Sequence, residues 1–183
     1  MQFLEIEHKF LVSEDFNFDD FDSKVKSLSP SLYKHVDVVD TYFVLESTRG
    51  HVYRHRCDEE IQQLSLKSIS KDPAVRKEVN LNLSGSNQLS SVRGFLEAGN
   101  ILFEGSINKS VYVYEFPDVE IVFYKANHNN KLVCCIEIEA KHPNSIESAK
   151  AIIESYERKI GLDSKQREKS SLFDLLLAEK LPS

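Results

Sequence analysis

Phe3-Leu4-Glu5-Ile6-Glu7-His8-Lys9-Phe10-Leu11 is the stretch from which the rest of the chain is read. Its period of two puts Glu5, Glu7 and Lys9 on one face of a strand and Leu4, Ile6 and Phe10 on the other. A strand advances about 6.7 Å every two residues, so the charged tips form a ladder, two anionic rungs followed by a cationic one. Alone, this is most simply a half-buried antiparallel strand with its charged face in water. Repetition changes that reading.

Residues 132–141, Leu-Val-Cys-Cys-Ile-Glu-Ile-Glu-Ala-Lys, place Glu137, Glu139 and Lys141 opposite Ile136, Ile138 and Ala140. Residues 52–57 set Val52, Arg54 and Arg56 against Tyr53, His55 and Cys57. Over 62–69, Lys67 joins Gln63 and Ser65 opposite Leu64 and Leu66, and over 75–83 Arg76 and Glu78 alternate with Val75, Val79 and Leu81. Further strands are predicted over 36–45, 101–104, 109–116 and 119–126, with turns at Asp72-Pro73, Pro117-Asp118 and 127–130. Helical spacing predicts helices over 16–28 (stopped by Pro30), 88–98 (stopped by Gly99), from Asn144 as N-cap, with Glu147 three residues on, to Gly161, and over 172–177.

The whole chain of 183 residues reads as one domain, 1–183, large enough to bury a core without disulfides. The fold class is α+β, mainly β: a closed or nearly closed eight-stranded antiparallel barrel with flanking helices. The helices decide which face points inward. Their apolar stripes need an apolar surface, and the outside of the sheet is the one available, so the ionic faces line the lumen. Like charges at 4 Å repel by about 4 kcal/mol at an effective dielectric near 20, so Arg54, Arg56, Lys67 and Arg76 in one channel call for anions. Glu78 and the paired glutamates supply some; a polyanionic ligand would supply the rest. With the first and last strands as neighbours, the two Glu-x-Glu pairs bring four carboxylates together.

A net charge of −6 argues against nucleic acid or an anionic membrane as partner, and no apolar run is long enough to span a bilayer. The acidic start lacks a secretory pattern, and Cys57, Cys134 and Cys135 have no zinc or redox spacing, so a reduced, cytoplasmic protein is expected. The six histidines form no ligand pair and read as incidental.

The ordered set of charged positions resembles the CYTH superfamily, the triphosphate tunnel metalloenzymes. Glu5-x-Glu7-x-Lys9 matches the family's ExExK motif. Asp40-Thr41-Tyr42-Phe43, Arg54-x-Arg56, Lys67, Arg76-x-Glu78, Lys109, Glu137-x-Glu139 and the tail from Lys169 follow in the family's order. The resemblance implies an eight-stranded tunnel barrel in which Glu5, Glu7, Glu137 and Glu139 hold Mg²⁺ or Mn²⁺. It also implies that Lys9, Arg54, Arg56, Lys67, Arg76 and Lys109 cradle the phosphates of a small-molecule triphosphate, with Glu5, Glu7, Lys9, Glu137 and Glu139 serving catalysis. The implied activity is hydrolysis of inorganic, thiamine or nucleoside triphosphate, with adenylate cyclisation or non-catalytic binding of polyphosphate or nucleotide as the alternatives, in a monomer or homodimer. Val111 stands where many relatives carry arginine, Asn80 where a second glutamate is frequent, and Ser171 where a tyrosine is; Glu120 is nearest to an acidic position expected around Ile121.

Overall fold

The computed structural model describes residues 4–68 and 74–180, without the side chain of Lys180. Phe3, Ile69 and the turn at Asp72-Pro73 lie outside the described residues. The strands are β1 (Leu4–Val12), β2 (Leu32–Leu45), β3 (His51–Cys57), β4 (Gln62–Ser68), β5 (Val75–Asn82), β6 (Ile101–Glu115), β7 (Val119–His128) and β8 (Lys131–Ala140). They close into an antiparallel barrel in the order β1-β5-β4-β3-β2-β6-β7-β8. The first and last strands are neighbours, with Glu7 opposite Glu139 and Lys9 opposite Glu137.

The helices clad the barrel as their apolar stripes require. Phe21 and Val25 of α1 (Phe18–Ser27) and Ala149, Ile153 and Tyr156 of α3 (Ile146–Ile160) pack with Ile6, Phe10, Ile121, Phe123, Ile136 and Ile138, the outward residues of β1, β7 and β8. Val92 and Leu96 of α2 (Leu89–Glu97) cover Phe43 and Leu45 on the opposite flank. No helix among the described residues is long and apolar enough to cross a membrane.

The last helix, α4 (Leu172–Leu176), does something different: it stops one end of the bore. Leu172, Phe173, Leu176 and Leu177 form one apolar cluster with the inward side chains Tyr42, Ile107, Ala126 and Cys135. Gly105 makes room for it, since a Cβ there would lie 2.7 Å from Phe103 Cζ and 3.3 Å from Leu177 Cδ2. The interior is therefore not ionic throughout; one end is greased and plugged.

Several predicted boundaries move. The strands expected over 101–104 and 109–116 are one strand, β6, because Gly105, Ser106 and Asn108, poor strand formers locally, are paired along their length with β2. β2 begins earlier, at Leu32, held by the same ladder. Ser145, not Asn144, caps α3, in a capping box with Ser148 rather than Glu147. Gly99 follows α2 without a left-handed φ; its missing side chain admits Leu45 and Ser47, each 2.7 Å from where a Cβ would sit, and Asn100 takes the positive φ.

Two histidines expected to be incidental are buried fasteners. His8 Nδ1 lies 2.6 Å from Glu157 Oε1 of α3, whose carboxylate also accepts bonds from Arg167, so β1, α3 and the segment before α4 are tied at one point. His55 Nε2 lies 3.0 Å from Gln62 Oε1. Glu168 continues the seam, its N–H donating to the carbonyl of Lys9.

Candidate active site in the barrel bore

Strand parity places every residue assigned in the sequence to metal or phosphate on the wall of one cavity of about 1050 Å³, whereas Lys141, which shares parity with Glu137 and Glu139, lies off it and pairs with Glu115. Glu5, Glu7 and Lys9 come from β1, Arg54 and Arg56 from β3, Lys67 from β4, Arg76 from β5, Lys109 from β6, and Glu137 and Glu139 from β8. On β1, β7 and β8 the opposite parity is taken up by the helices outside, whereas on β5 it faces solvent, with Val79 36% and Leu81 58% exposed.

The bore is an interleaved set of ion pairs. Lys67 Nζ lies 3.1 Å from Glu5 and 2.6 Å from Glu78, and Arg54 Nη2 donates to Glu78 at 3.1 Å and to Ser65 at 3.2 Å. Arg76 Nη1 donates to Glu7 at 2.8 Å. Lys9 Nζ lies 3.0 Å from Glu137, which also accepts the Tyr124 hydroxyl at 2.8 Å. Burial alone would raise Glu137, but Lys9 and that hydroxyl outweigh it and hold its pKa at about 2.

Asp40, with no exposed surface, anchors the other cations: Arg56 donates to both its oxygens, at 2.9 and 3.2 Å, and Lys109 Nζ lies 2.5 Å from Oδ2. Despite its burial, these cations hold Asp40 well below the usual carboxylate range. Lys109 nonetheless drops to about 8, because burial and the Arg56 charge beside it outweigh the pull of Asp40. Cations outnumber their anion here, and Arg54 Nε is buried without a partner. This side of the bore is short of acceptors.

The opposite condition holds where β7, β8 and β1 meet. Glu120 stands opposite Glu139 and Glu139 opposite Glu7, three carboxylates across three neighbouring strands. Among the described residues neither Glu120 nor Glu139 has an ion-pair partner within 4 Å. Burial, then the charges of Glu5, Glu7 and Glu120, push Glu139 well above the ordinary carboxylate range; burial, then Glu7 and Glu78, push Glu5 up to about 7 despite Lys67. Glu120 is raised by burial and Glu115. Uncompensated carboxylate oxygens are the donor set a hard divalent cation takes. Among the described residues no three His, Cys, Asp or Glu side chains are already grouped as a closed ligand set. Lys67 and Arg76 hold Glu5 and Glu7, and Lys9 and Tyr124 hold Glu137. The donor chemistry fits a divalent cation.

Glu120, named in the sequence only as nearest to an expected acidic position, and Tyr124 line this cavity, and Asp40, fully buried, stands behind it as the anchor of Arg56 and Lys109. Valines on both parities of residues 36–39 leave the facing of Asp40 undecided in the sequence, and the facing of Glu120 depends on the turn at Pro117-Asp118, whose register only the pairing reveals. Ser171 faces the cavity but serves α4: its hydroxyl accepts the N–H of Asp174 and donates to its carboxylate, a capping box.

A closed barrel, plugged at one end, with cations and carboxylates interleaved along its bore, is the architecture of a triphosphate tunnel. The family model of the CYTH domain matches residues 4–172, and the chain belongs to that family. None of the curated proteins compared with the chain matches it. Among solved structures the chain is similar to the PH1012 protein of Pyrococcus horikoshii, at 22% identity over 94% of this chain and 99% of that one, with a TM-score of 0.76. HpAC1 of Hippeastrum, described as an adenylyl cyclase candidate with a dominant triphosphatase activity, is 18% identical over 97% of both chains, with a TM-score of 0.63. The RNA triphosphatase domain of a mimivirus mRNA capping enzyme gives 13% identity over 87% of this chain and 90% of that one, with a TM-score of 0.56. At these identities the likeness is one of fold.

Proposed function

We propose that this chain is a metal-dependent triphosphatase acting on a small-molecule triphosphate held inside the bore. One observation carries the reading: cations short of acceptors and carboxylates short of cations stand in the same closed cavity, so a triphosphate with its metal completes both. Lys9, Arg54, Arg56, Lys67, Arg76 and Lys109 would bind the phosphate oxygens; the orphaned Arg54 Nε and the crowded Lys109 are the donors most in need of one. Glu5, Glu7 and Glu139, joined by Glu120, would hold Mg²⁺ or Mn²⁺, with Glu137 entering the set when Lys9 turns to phosphate. When bound, that cation supplies charge neutralisation on the phosphate oxygens and a positioned water. The protein contributes placement and a dry, charged wall, the larger part of catalysis for phosphoryl transfer.

The family includes triphosphatases and adenylyl cyclase-like enzymes, and the dominant triphosphatase activity described for HpAC1 supports hydrolysis over cyclisation. A net charge of −6 and an inward-facing cation set support a small molecule over nucleic acid or a membrane surface as partner. Free Cys57, Cys134 and Cys135 support a reducing, cytoplasmic setting.

The test is orthophosphate release from tripolyphosphate, thiamine triphosphate and ATP with Mg²⁺ or Mn²⁺, for wild type and for Glu139→Gln. Release that stops with chelator and falls about 100-fold or more in the variant is expected. No release from any substrate, or cyclic AMP as the ATP product in its place, overturns the reading.

A further inference from the structure

Two stretches of the barrel's outer surface are exposed to water, and they differ in kind. On β2, β6 and β7 the outward residues Asp37, Asn108, Lys125 and Asn127 are polar around a single exposed valine, Val39, the composition expected of a sheet face in water. On β4 and β5 the outward residues are apolar. Leu64 stands opposite Leu81 and Leu66 opposite Val79, with Tyr53 of β3 beside Leu66.

The helix α2 extends this second patch. Its Val92 and Leu96 face the barrel, and Arg93 donates to Glu104 of β6, which lies beyond β2 and β3 from β4 in the strand order. That contact fixes the helix's rotation: at about 100° per residue, Phe95 falls on the opposite flank from Arg93, toward β4, and it is 74% exposed. Single apolar side chains are common on a surface, whereas a phenylalanine bordering exposed leucine and valine in one patch marks a contact with another protein.

Charge identifies the partner. Lys77, exposed and outward on β5, lies four residues, about 13 Å, to one side of Leu81. To the other side Leu83 N–H donates to the carbonyl of Gln62, and beyond it the turn between β3 and β4 carries Asp58 and the exposed Glu59. Among the described residues neither Lys77 nor Glu59 has an ion-pair partner within 4 Å. A patch with a cation at one end and an anion at the other, on either side of its most exposed leucine, matches itself after a half-turn, which is the condition an isologous contact must meet.

We propose that the outer face of β4 and β5, together with Phe95, is the contact between two copies of this chain. The two-fold axis would pass near Leu81, the two sheets would pack face to face about 10 Å apart, and Lys77 of each copy would meet Glu59 of the other. No residue of the bore takes part, so the contact stands or falls separately from the triphosphate reading.

The experiment is sedimentation velocity over a dilution series of the full chain, with circular dichroism to check that each variant is folded. Wild type should sediment as a dimer of twice 21.0 kDa that dissociates on dilution. Leu81→Glu, which sets like charges against each other at the axis without touching the core, should weaken the dimer about 30-fold or more, while Val39→Glu on the polar face should leave it unchanged. Lys77→Glu and Glu59→Lys should each weaken association, and the two together should restore it. A wild-type monomer at every concentration leaves the face to a different protein and overturns the proposal, as does a dimer that Leu81→Glu leaves intact. A dimer lost in Leu81→Glu but not restored by the charge exchange overturns the two-fold arrangement.

Discussion

Glu5 shows how one side chain couples protonation, stability and metal. Its pKa stands at about 7, against an ordinary 4.5, because burial and then the neighbouring charges of Glu7 and Glu78 oppose its ionisation. Between pH 4.5 and 7 the folded protein therefore keeps a proton that the unfolded chain has released, so stability falls as pH rises through that window, by up to about 3 kcal/mol for this group. Glu139 acts in the same direction. Thermal melts in chelator should show a decline in Tm between pH 5 and pH 8 that Glu5→Gln makes shallower, while added Mn²⁺ should raise the wild-type Tm more at pH 8 than at pH 5, since ligation requires the deprotonated form. An equal decline in both proteins would contradict the assignment.

At this scale the sequence was informative wherever parity was unambiguous. Glu5, Lys67 and Glu139 sit on strands whose neighbouring alternate residues are plainly apolar, so one face could only be inside or outside together. Asp40 was harder, because valines lie on both parities of residues 36–39 and the alternation that betrays facing is lost. Cationic partners 16 and 69 residues along the chain, Arg56 and Lys109, settle its role, and no local pattern reports a contact of that range.

Among the elements, α4 has the largest consequence for its size. Its apolar side chains were legible as a short helix, but neither its Ser171 cap nor its role as a plug was, because what it covers is the inside of a barrel assembled from strands far back in the chain. The same distance hid β6: Gly105 argues locally for a break, and only the approach of Leu177 and Phe103 explains why a glycine belongs in mid-strand. The element makes its own prediction. Phe173 packs against Tyr42 and Phe103, with ring centroids 5.7 and 5.8 Å away, so Phe173→Ala should cost about 3–5 kcal/mol in chemical denaturation and open the plugged end. A loss below about 1 kcal/mol would mean that α4 merely rests on the rim.

For the molecule as a whole, helices outside and ions inside are two sides of one arrangement. Ile6, Phe10, Ile136 and Ile138 face α1 and α3, which leaves Glu5, Glu7, Lys9, Glu137 and Glu139 to face one another across a closed bore. An interior built this way is held by its ion pairs yet incomplete on both signs, and a bound triphosphate should therefore stabilise the fold itself. At one hundred times its dissociation constant a ligand adds about 2.7 kcal/mol, which for a chain of this length is a rise of about 5–10 °C in Tm. The decisive measurement is the melting temperature of wild-type protein titrated with tripolyphosphate and with ATP, each with Mn²⁺. A saturable rise of that size with at least one of them, lost in Arg54→Ala, is the predicted result; a melting curve that neither ligand moves at any concentration would contradict it.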